Sequence, residues 1–286
     1  METGALSIRE ATEADRQRLA NLLHFEMYVH RHLDWRTPLE WIGCTPFLLA
    51  EHDHDLVAVL ACSPEPPEVA WIRLFAAAAG VPLKSAWQPL WDSARNQLAS
   101  QPGVRVAAIA LLNWFSDLLS SSGFDHTHNV VVLSWERGGY LPAPKDIEVH
   151  IRPMTHADVD AVIRIDQSAF AVEWRISRSS LELAFMQSSV ATVAEDEPNQ
   201  IVGYQISTAN PIGGHLARLA VSEASQGQGI GYALVHDLLD RFEQRNIDHI
   251  TVNTQQDNLA SLALYAKAGF QETGEYYRVY QYYFDR

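Results

Sequence analysis

Four segments of this chain recur in the same order, and their spacing constrains the fold more than any other feature. The offset between the members of a pair grows only from 143 to 146 residues along the chain. Unrelated matches would not keep one order and one spacing, so the sequence predicts two copies of a single fold. The pairs are residues 6–23 with 149–166, 48–63 with 192–207, 71–76 with 216–221, and 121–124 with 267–270.

The joint between the copies is the segment "ERGGYLPAPKD", residues 136–146, which is rich in Gly and Pro as linkers are. A length of 286 residues suits two domains of ordinary size. We therefore expect a first domain over residues 1–138 and a second over 147–286. The two copies would pack together in a pseudo-dimeric monomer, or the chain would form a homodimer.

The second copy shows an alternation of strand and helix patterns. Thr155 and Asp158 have the spacing of a helix N-terminal cap, after the strand "EVHIRPM". Apolar residues recur at every fourth position from Ile230 to Phe242, which predicts one buried helix face. The chain end reads as a pair of strands, "FQETGE" and "RVYQYYF". This order predicts a mixed α/β (α+β) fold, with helices flanking a mostly antiparallel sheet.

Three glycines alternate in "SQGQGIG", residues 225–231, between a predicted strand and a predicted helix. Glycines allow positive φ angles, and N–H groups at a helix start bind anions, so this stretch is either a plain turn or a phosphate cradle. It is not a dinucleotide fingerprint, because position 232 is Tyr232 and not the third glycine required. It is not a P-loop, because it contains no lysine.

Two motifs in the second copy resemble the GNAT family of acyltransferases. The first is Gln/Arg-x-x-Gly-x-Gly/Ala at a strand-to-helix turn, here from Gln226 to Gly231. The second is Asn258, Ser261, Leu264-Tyr265 and then Gly269-Phe270. The resemblance covers roughly residues 147–286. It implies an N-acetyltransferase that moves an acetyl group from acetyl-CoA to a primary amine by direct attack in a ternary complex, without metal.

The resemblance also implies roles for individual residues. Tyr265 corresponds to the general acid that protonates the leaving thiolate. His215 and Glu173 are candidate bases for the attacking amine, although the sequence does not choose between them or a structural role. A backbone N–H near Val221 would stabilise the oxyanion. The expected cofactor-binding residues are Leu219, Ala220, Val221, Gln226, Gly227, Gln228, Gly229, Ile230, Gly231, Asn258 and Ser261.

The first copy lacks these motifs. Its segment "GVPLKSA", residues 80–86, stands opposite the glycine stretch, and Leu119 stands opposite Tyr265. We therefore expect a degenerate first domain without cofactor. The histidines of "HDHD" (52–55) and "DHTH" (125–128) are interpreted as parts of a hairpin turn and a strand, not as metal ligands.

The composition limits the function classes. A formal net charge of −14 argues against nucleic acid as a partner. No signal peptide or apolar run long enough for a membrane span is found, and Cys44 and Cys62 suit reduced thiols, so we expect a cytoplasmic protein. The acceptor would be a small-molecule amine or a protein N-terminus. The alternative to an enzyme is a non-catalytic acyl-CoA sensor or regulatory module.

Overall fold

The computed structural model describes residues 6–138, 141–144, 147–198 and 200–284. Gly139, Tyr140, Lys145 and Asp146 of the predicted linker, and Asn199 of a predicted hairpin turn, lie outside the described residues. The chain forms two compact units, unit 1 from residues 1–127 and 278–286 and unit 2 from residues 128–277.

Unit 1 contains the following helices and strands. They are β1 (Ser7–Glu10), α1 (Arg16–Phe25), β2 (Tyr28–Arg31), β3 (Phe47–His52), β4 (Asp55–Ala61), β5 (Val69–Trp71), β6 (Leu74–Ala77), α2 (Leu83–Leu98), β7 (Arg105–Ala110), α3 (Asn113–Ser120) and the start of β8 (Asp125–Glu136). One sheet has the strand order β1-β3-β4-β6-β2, and β5 pairs in parallel with β7. The "HDHD" residues form the turn between β3 and β4, as predicted, with positive φ angles at Asp53 and His54.

Unit 2 contains the rest of β8 and the elements of the second copy. They are β9 (His150–Pro153), α4 (Val159–Ala169), α5 (Arg178–Gln187), β10 (Val190–Glu197), β11 (Gln200–Asn210), β12 (Gly213–Val221), α6 (Ile230–Glu243), β13 (His249–Gln255), α7 (Leu259–Lys267) and most of β14 (Gln271–Tyr283). The strand order is β14-β8-β13-β12-β11-β10-β9. The predicted apolar face of α6 is buried at Ile230, Leu234, Leu238 and Phe242.

The chain end corrects one expectation. Instead of two strands, residues 271–275 of "FQETGE" and 278–283 of "RVYQYYF" lie in the single strand β14. Gly274 has a φ of +85°, but no residue after it reverses the chain, and the next residues include two tyrosines, which favour strands. The strand therefore continues through the glycine.

Each unit is completed by a strand segment from the other half of the sequence. In unit 1, Arg278–Tyr283 of β14 pairs antiparallel with β7. In unit 2, Val130–Glu136 of β8 pairs antiparallel with β13. The compact units therefore do not follow the division at residues 138 and 147, because the strand after the Gly-Phe pair of each copy continues into the opposite unit.

The same ionic clamp is built twice, once in each unit. In unit 2, Arg152 on β9 pairs with Asp158 at 2.8 Å and with Glu195 at 2.6 Å. Asp158 also accepts from the Thr155 N–H and hydroxyl, which is the predicted capping box. In unit 1, the equivalent residues are Arg9, Asp15 and Glu51. The repeat read from the sequence thus extends to side-chain contacts.

Acid should weaken the unit 2 clamp. The hydrogen bond from Arg152, helped by Thr155, lowers the pKa of Asp158 to about 2. Because this pKa lies below the unfolded value, the stabilisation is complete above about pH 4 and is lost as pH falls towards 2. Asp158→Asn should therefore lower the free energy of unfolding by about 2 kcal/mol at pH 7. Urea unfolding of both proteins should show this difference shrink below half at pH 2, and a constant difference would contradict the assignment.

Candidate active site

Two parallel strands of unit 2 separate just before the glycine stretch. β12 pairs with β13 only through Gly214–Ile250, His215–Thr251 and Leu216–Val252. Both strands are fully described and continue further, β12 to Val221 along β11 and β13 to Gln255 along β8. The backbone groups of residues 217–221 that face away from β11 are therefore available to an extended ligand. Leu219, Ala220 and Val221 lie in this part of β12.

The glycines that follow are required for two different structural reasons. Gly227 and Gly229 adopt left-handed φ angles of +77° and +86°, with Gln228 between them. Alternating conformations of this kind turn successive N–H groups into one concave surface that suits an anion. Gly231 lies inside α6, where a Cβ atom would come 3.3 Å from Leu264 of α7. Gly231 is therefore explained by the close packing of two helices.

Two of the predicted cofactor residues make local hydrogen bonds through their side chains. The Gln226 amide donates to the Val221 carbonyl oxygen at 3.1 Å, which closes the loop onto the end of β12. Asn258 caps α7, because its Oδ1 accepts from the Ser261 N–H at 3.1 Å. The Ile230 side chain is buried, so only its backbone is available to a ligand. Cofactor contacts by Gln226, Asn258 and Ser261 remain predictions.

Tyr265 lies on α7 and is 5% exposed. It packs in the core of unit 2, with its ring 5.7 Å from that of Phe270. Burial raises the pKa of its phenol above the usual value near 10. The group is therefore protonated throughout the neutral pH range, which is the state that a proton donor requires.

A buried polar cluster next to β12 was not found from the sequence. Asp166 of α4 is completely buried and accepts from Tyr204 Oη and Arg218 Nε, both at 2.5 Å. Burial and the neighbouring Asp166 carboxylate raise the pKa of Tyr204 well above its usual value. The only signal in the sequence was the alignment of Arg218 with Arg73, which carries no information about partners.

The same cluster holds the loop that carries Glu173. Arg218 donates to the Trp174 carbonyl oxygen at 2.6 Å, and the Ile176 N–H donates to Asp166 at 3.0 Å. Glu173 lies in the short 3₁₀ turn that this anchoring fixes beside β12.

The other base candidate, His215, lies in the paired part of β12 with Nδ1 2.8 Å from the Thr251 hydroxyl. Burial lowers the pKa of His215, so the imidazole is neutral at pH 7.

Removing the central carboxylate of this cluster, that of Asp166, should destabilise the fold strongly. Asp166→Ala leaves the Arg218 guanidinium buried without its counter-charge, so we expect the free energy of unfolding to fall by about 3–5 kcal/mol. Asp160→Ala on the same helix is the matched control, because Asp160 is exposed and its solvent-screened ion pair with Arg178 should contribute little to stability. Denaturant unfolding checks both, and equal losses would contradict the central role of Asp166.

Comparisons with known proteins bear on unit 2 in particular. The model of the GNAT acetyltransferase family matches residues 159–270. The N-alpha-acetyltransferase RimI of Mycobacterium tuberculosis is 31% identical over 140 residues, which cover 46% of this chain and 85% of that protein. An uncharacterized N-acetyltransferase of Methanocaldococcus jannaschii is 30% identical over 125 residues, covering 43% of this chain and 78% of that protein. The chain belongs to the GNAT family of acetyltransferases.

Solved structures extend the likeness to both copies. A tandem GNAT protein from the clavulanic acid biosynthesis pathway matches 97% of this chain and 98% of its own, with a TM-score of 0.65 and 12% identity. At this identity the likeness concerns the fold alone. It confirms the expectation of two tandem GNAT folds, and the family match confirms that the chain is an acetyltransferase.

In the first GNAT copy, a strand of the chain occupies the sheet position that is open beside β12 in the second copy. By the alignment of Arg73 with Arg218, residues 74–76 of β6 correspond to Leu219, Ala220 and Val221. In unit 1, strand β2 pairs with these residues, Arg31 with Leu74, His30 with Phe75 and Val29 with Ala76. The edge of β6 that faces away from β4 is therefore occupied by the chain itself.

Two further observations concern the described ranges of this GNAT protein. They contain no group of three or more His, Cys, Asp or Glu side chains that could hold a metal ion. None of their helices is long and apolar enough to cross a membrane.

Proposed function

We propose that unit 2 transfers the acetyl group of acetyl-CoA to a primary amine by direct attack in a ternary complex. The observation that carries this proposal is the separation of β12 from β13 immediately before a loop with two left-handed glycines. An extended arm with amide groups fits the exposed edge of β12 as an added strand would. A pyrophosphate fits the N–H groups from Gly227 to Gly231 at the start of α6.

The remaining roles follow from the positions of individual groups. Leu219, Ala220 and Val221 would bind the pantetheine amides, and a backbone N–H near Val221 would donate to the oxyanion formed on the thioester carbonyl. Tyr265 would give its proton to the leaving thiolate. His215 and Glu173 are the candidates to take the proton of the attacking ammonium, whose usual pKa is near 10.4.

The acceptor class is proposed from the relatives. One is named an N-alpha-acetyltransferase, and another is the ribosomal protein bS18-alanine N-acetyltransferase of Escherichia coli, 25% identical over 133 residues. A protein N-terminus is therefore the first acceptor to test, with small-molecule amines as the second class. A net charge of −14 favours a cationic acceptor of either kind.

We further propose that unit 1 binds no acetyl-CoA, because β2 covers the edge of β6 and the segment 80–86 lacks the alternating glycines. Calorimetry of the full chain should therefore give one acetyl-CoA per chain, and thiol release with a panel of N-terminal peptides and small amines should identify the acceptor. Two sites per chain would contradict the assignment of unit 1. Binding without acetyl transfer to any acceptor would contradict the catalytic proposal.

A further inference from the structure

Strand β2 covers the edge of β6 in unit 1 and brings two histidines into the interior. The strand has four residues, lies at the end of its sheet and pairs with β6. His30 is 3% exposed, and the Nδ1 atom of His32, the next residue after β2, is completely buried. We propose that β2 is an acid-released cover, which leaves β6 in mildly acidic solution while the rest of unit 1 stays folded.

The surroundings of His30 favour a neutral imidazole. Its ring stacks on Phe115 of α3, with the ring centres 3.9 Å apart and the planes at 19°. Its Nε2 lies 3.0 Å from the Ile72 carbonyl oxygen, so the neutral ring carries its proton there and donates it. Strands β5 and β6 contain no charged residue, and Asp117, the acid of α3, is exposed. Burial therefore lowers the pKa of His30 to about 4.

The surroundings of His32 oppose its protonation as well. Its ring stacks on Trp71 of β5, with the ring centres 4.8 Å apart, and its backbone N–H donates to the Arg73 carbonyl oxygen at 2.9 Å. The guanidinium of Arg73 adds a like charge, and a proton on His30 would add another. Burial and these charges lower the pKa of His32 well below its usual value.

The charged groups near the two rings are already paired with one another. Arg73 pairs with Asp34, and Arg36 pairs with Glu65 at 3.1 Å. Arg31 of β2 donates to a carbonyl oxygen at the end of α1. Within the part of the chain that the structure describes, no carboxylate forms an ion pair or hydrogen bond with either imidazole. A proton on His30 or His32 would therefore lack a counter-charge while β2 is in place.

Acid favours the released strand, because water around the two imidazoles restores the usual histidine pKa near 6.5. Below pH 6.5 the released strand gains protons that the paired strand does not accept. Each histidine then shifts the equilibrium towards release by up to about tenfold per pH unit, until the pH reaches the pKa of the paired state. The two histidines together give about a 1,000-fold shift at pH 5, and the effect disappears above pH 7.

The position of β2 allows it to leave alone. It is an edge strand, and β6 keeps its pairing with β4 when β2 is removed. The residues on either side of the strand are exposed, Phe25 and Met27 by 78% and Leu33 by 57%. Segments of this kind open locally more easily than the core. Release would expose the edge of β6 that corresponds to the edge of β12 in unit 2.

Hydrogen exchange of the full chain at pH 7.5 and pH 5 tests the release, after correction for the intrinsic exchange rate at each pH. Protection of the amides of residues 28–32 should fall about 1,000-fold at pH 5, whereas β3 and β4 should keep theirs. Strand β9 of unit 2 is the internal control, because it is also a four-residue edge strand but its His150 is exposed. Its protection should change less than about threefold.

Neutral variants separate the histidines from other causes. Gln cannot be protonated, so His30→Gln should reduce the pH effect on residues 28–32 to about 30-fold, and His30→Gln with His32→Gln to less than about threefold. His24→Gln, at an exposed histidine of α1, should retain the full effect. Each comparison is made between two pH values of one protein, so a general loss of stability in a variant does not affect it. Equal protection of the wild-type strand at both pH values, the full pH effect in the double variant, or simultaneous loss from β3 and β4 would overturn the proposal.

Discussion

Gly229→Glu is expected to lower the affinity for acetyl-CoA at least about 100-fold. Gly229 has a φ of +86°, a conformation that costs a residue with a side chain about 1–2 kcal/mol. The added Cβ would also meet Ile147, and the new carboxylate would repel the pyrophosphate. Loss of two charge-assisted hydrogen bonds, each contributing about 1.5–3 kcal/mol, is sufficient for a factor of this size.

The control for this variant is a glycine with the same backbone requirement outside the site. Gly103 in unit 1 has a φ of +74°, and nothing lies within 4 Å of the position of its Cβ. Gly103→Glu should therefore show a comparable small loss of stability and unchanged acetyl-CoA binding by calorimetry. If Gly229→Glu binds acetyl-CoA within threefold of the wild-type chain, the glycine loop is not the pyrophosphate site.

Tyr265→Phe is expected to lower kcat about 100-fold or more, because a positioned proton donor contributes a factor of about 10²–10⁴. The substitution keeps the ring in the core of unit 2, so the Kd for acetyl-CoA and the stability should change little. Steady-state kinetics with the identified acceptor and calorimetry separate the two effects. Tyr280→Phe is the matched control, since Tyr280 is also 5% exposed and lies in unit 1. Equal kcat in Tyr265→Phe would exclude Tyr265 as the acid.

The pH dependence gives an independent check on Tyr265. Burial raises the pKa of its phenol, so the proton is retained at pH values where an exposed tyrosine would begin to lose it. Deprotonation of this phenol should therefore not lower the wild-type kcat below about pH 10. If kcat falls in this range in the wild-type chain but not in Tyr265→Phe, the phenol is more exposed than its position in the core indicates.

The candidate site of the second copy could be predicted from the sequence because its parts are local. The glycine loop, the Asn258 cap and Tyr265 each lie within one turn or one helix, where spacing determines which groups meet. Even here, the structure gives the three glycines two different roles. Gly227 and Gly229 allow the conformation of the loop, and Gly231 allows two helices to pack closely. A pattern of glycines alone does not separate these reasons, since both require the absence of a side chain.

The features that sequence reasoning missed depend on contacts between distant residues. Asp166 meets Arg218 across 52 positions, and Arg278 of β14 pairs with Ala110 of β7. A strand shows the same alternation whichever partner it pairs with, so neither the exchanged strands nor the pairing of β2 with β6 could be read from periodicity. The contact of the linker with α6, where the Tyr232 hydroxyl donates to the Pro142 carbonyl oxygen, is likewise invisible in composition, because Pro-rich segments are predicted only as loops.

The exchanged strands have a consequence for the order in which this chain can mature during synthesis. Domains usually fold one after another as the ribosome releases them, the N-terminal one first. Here the strand segment that completes unit 1 begins at Arg278, after all the residues of unit 2. β7 therefore lacks this partner until Arg278–Tyr283 has been synthesised, whereas the β8 segment needed by unit 2 precedes the rest of that unit. Unit 2 can thus close before unit 1, although most of unit 1 is synthesised first.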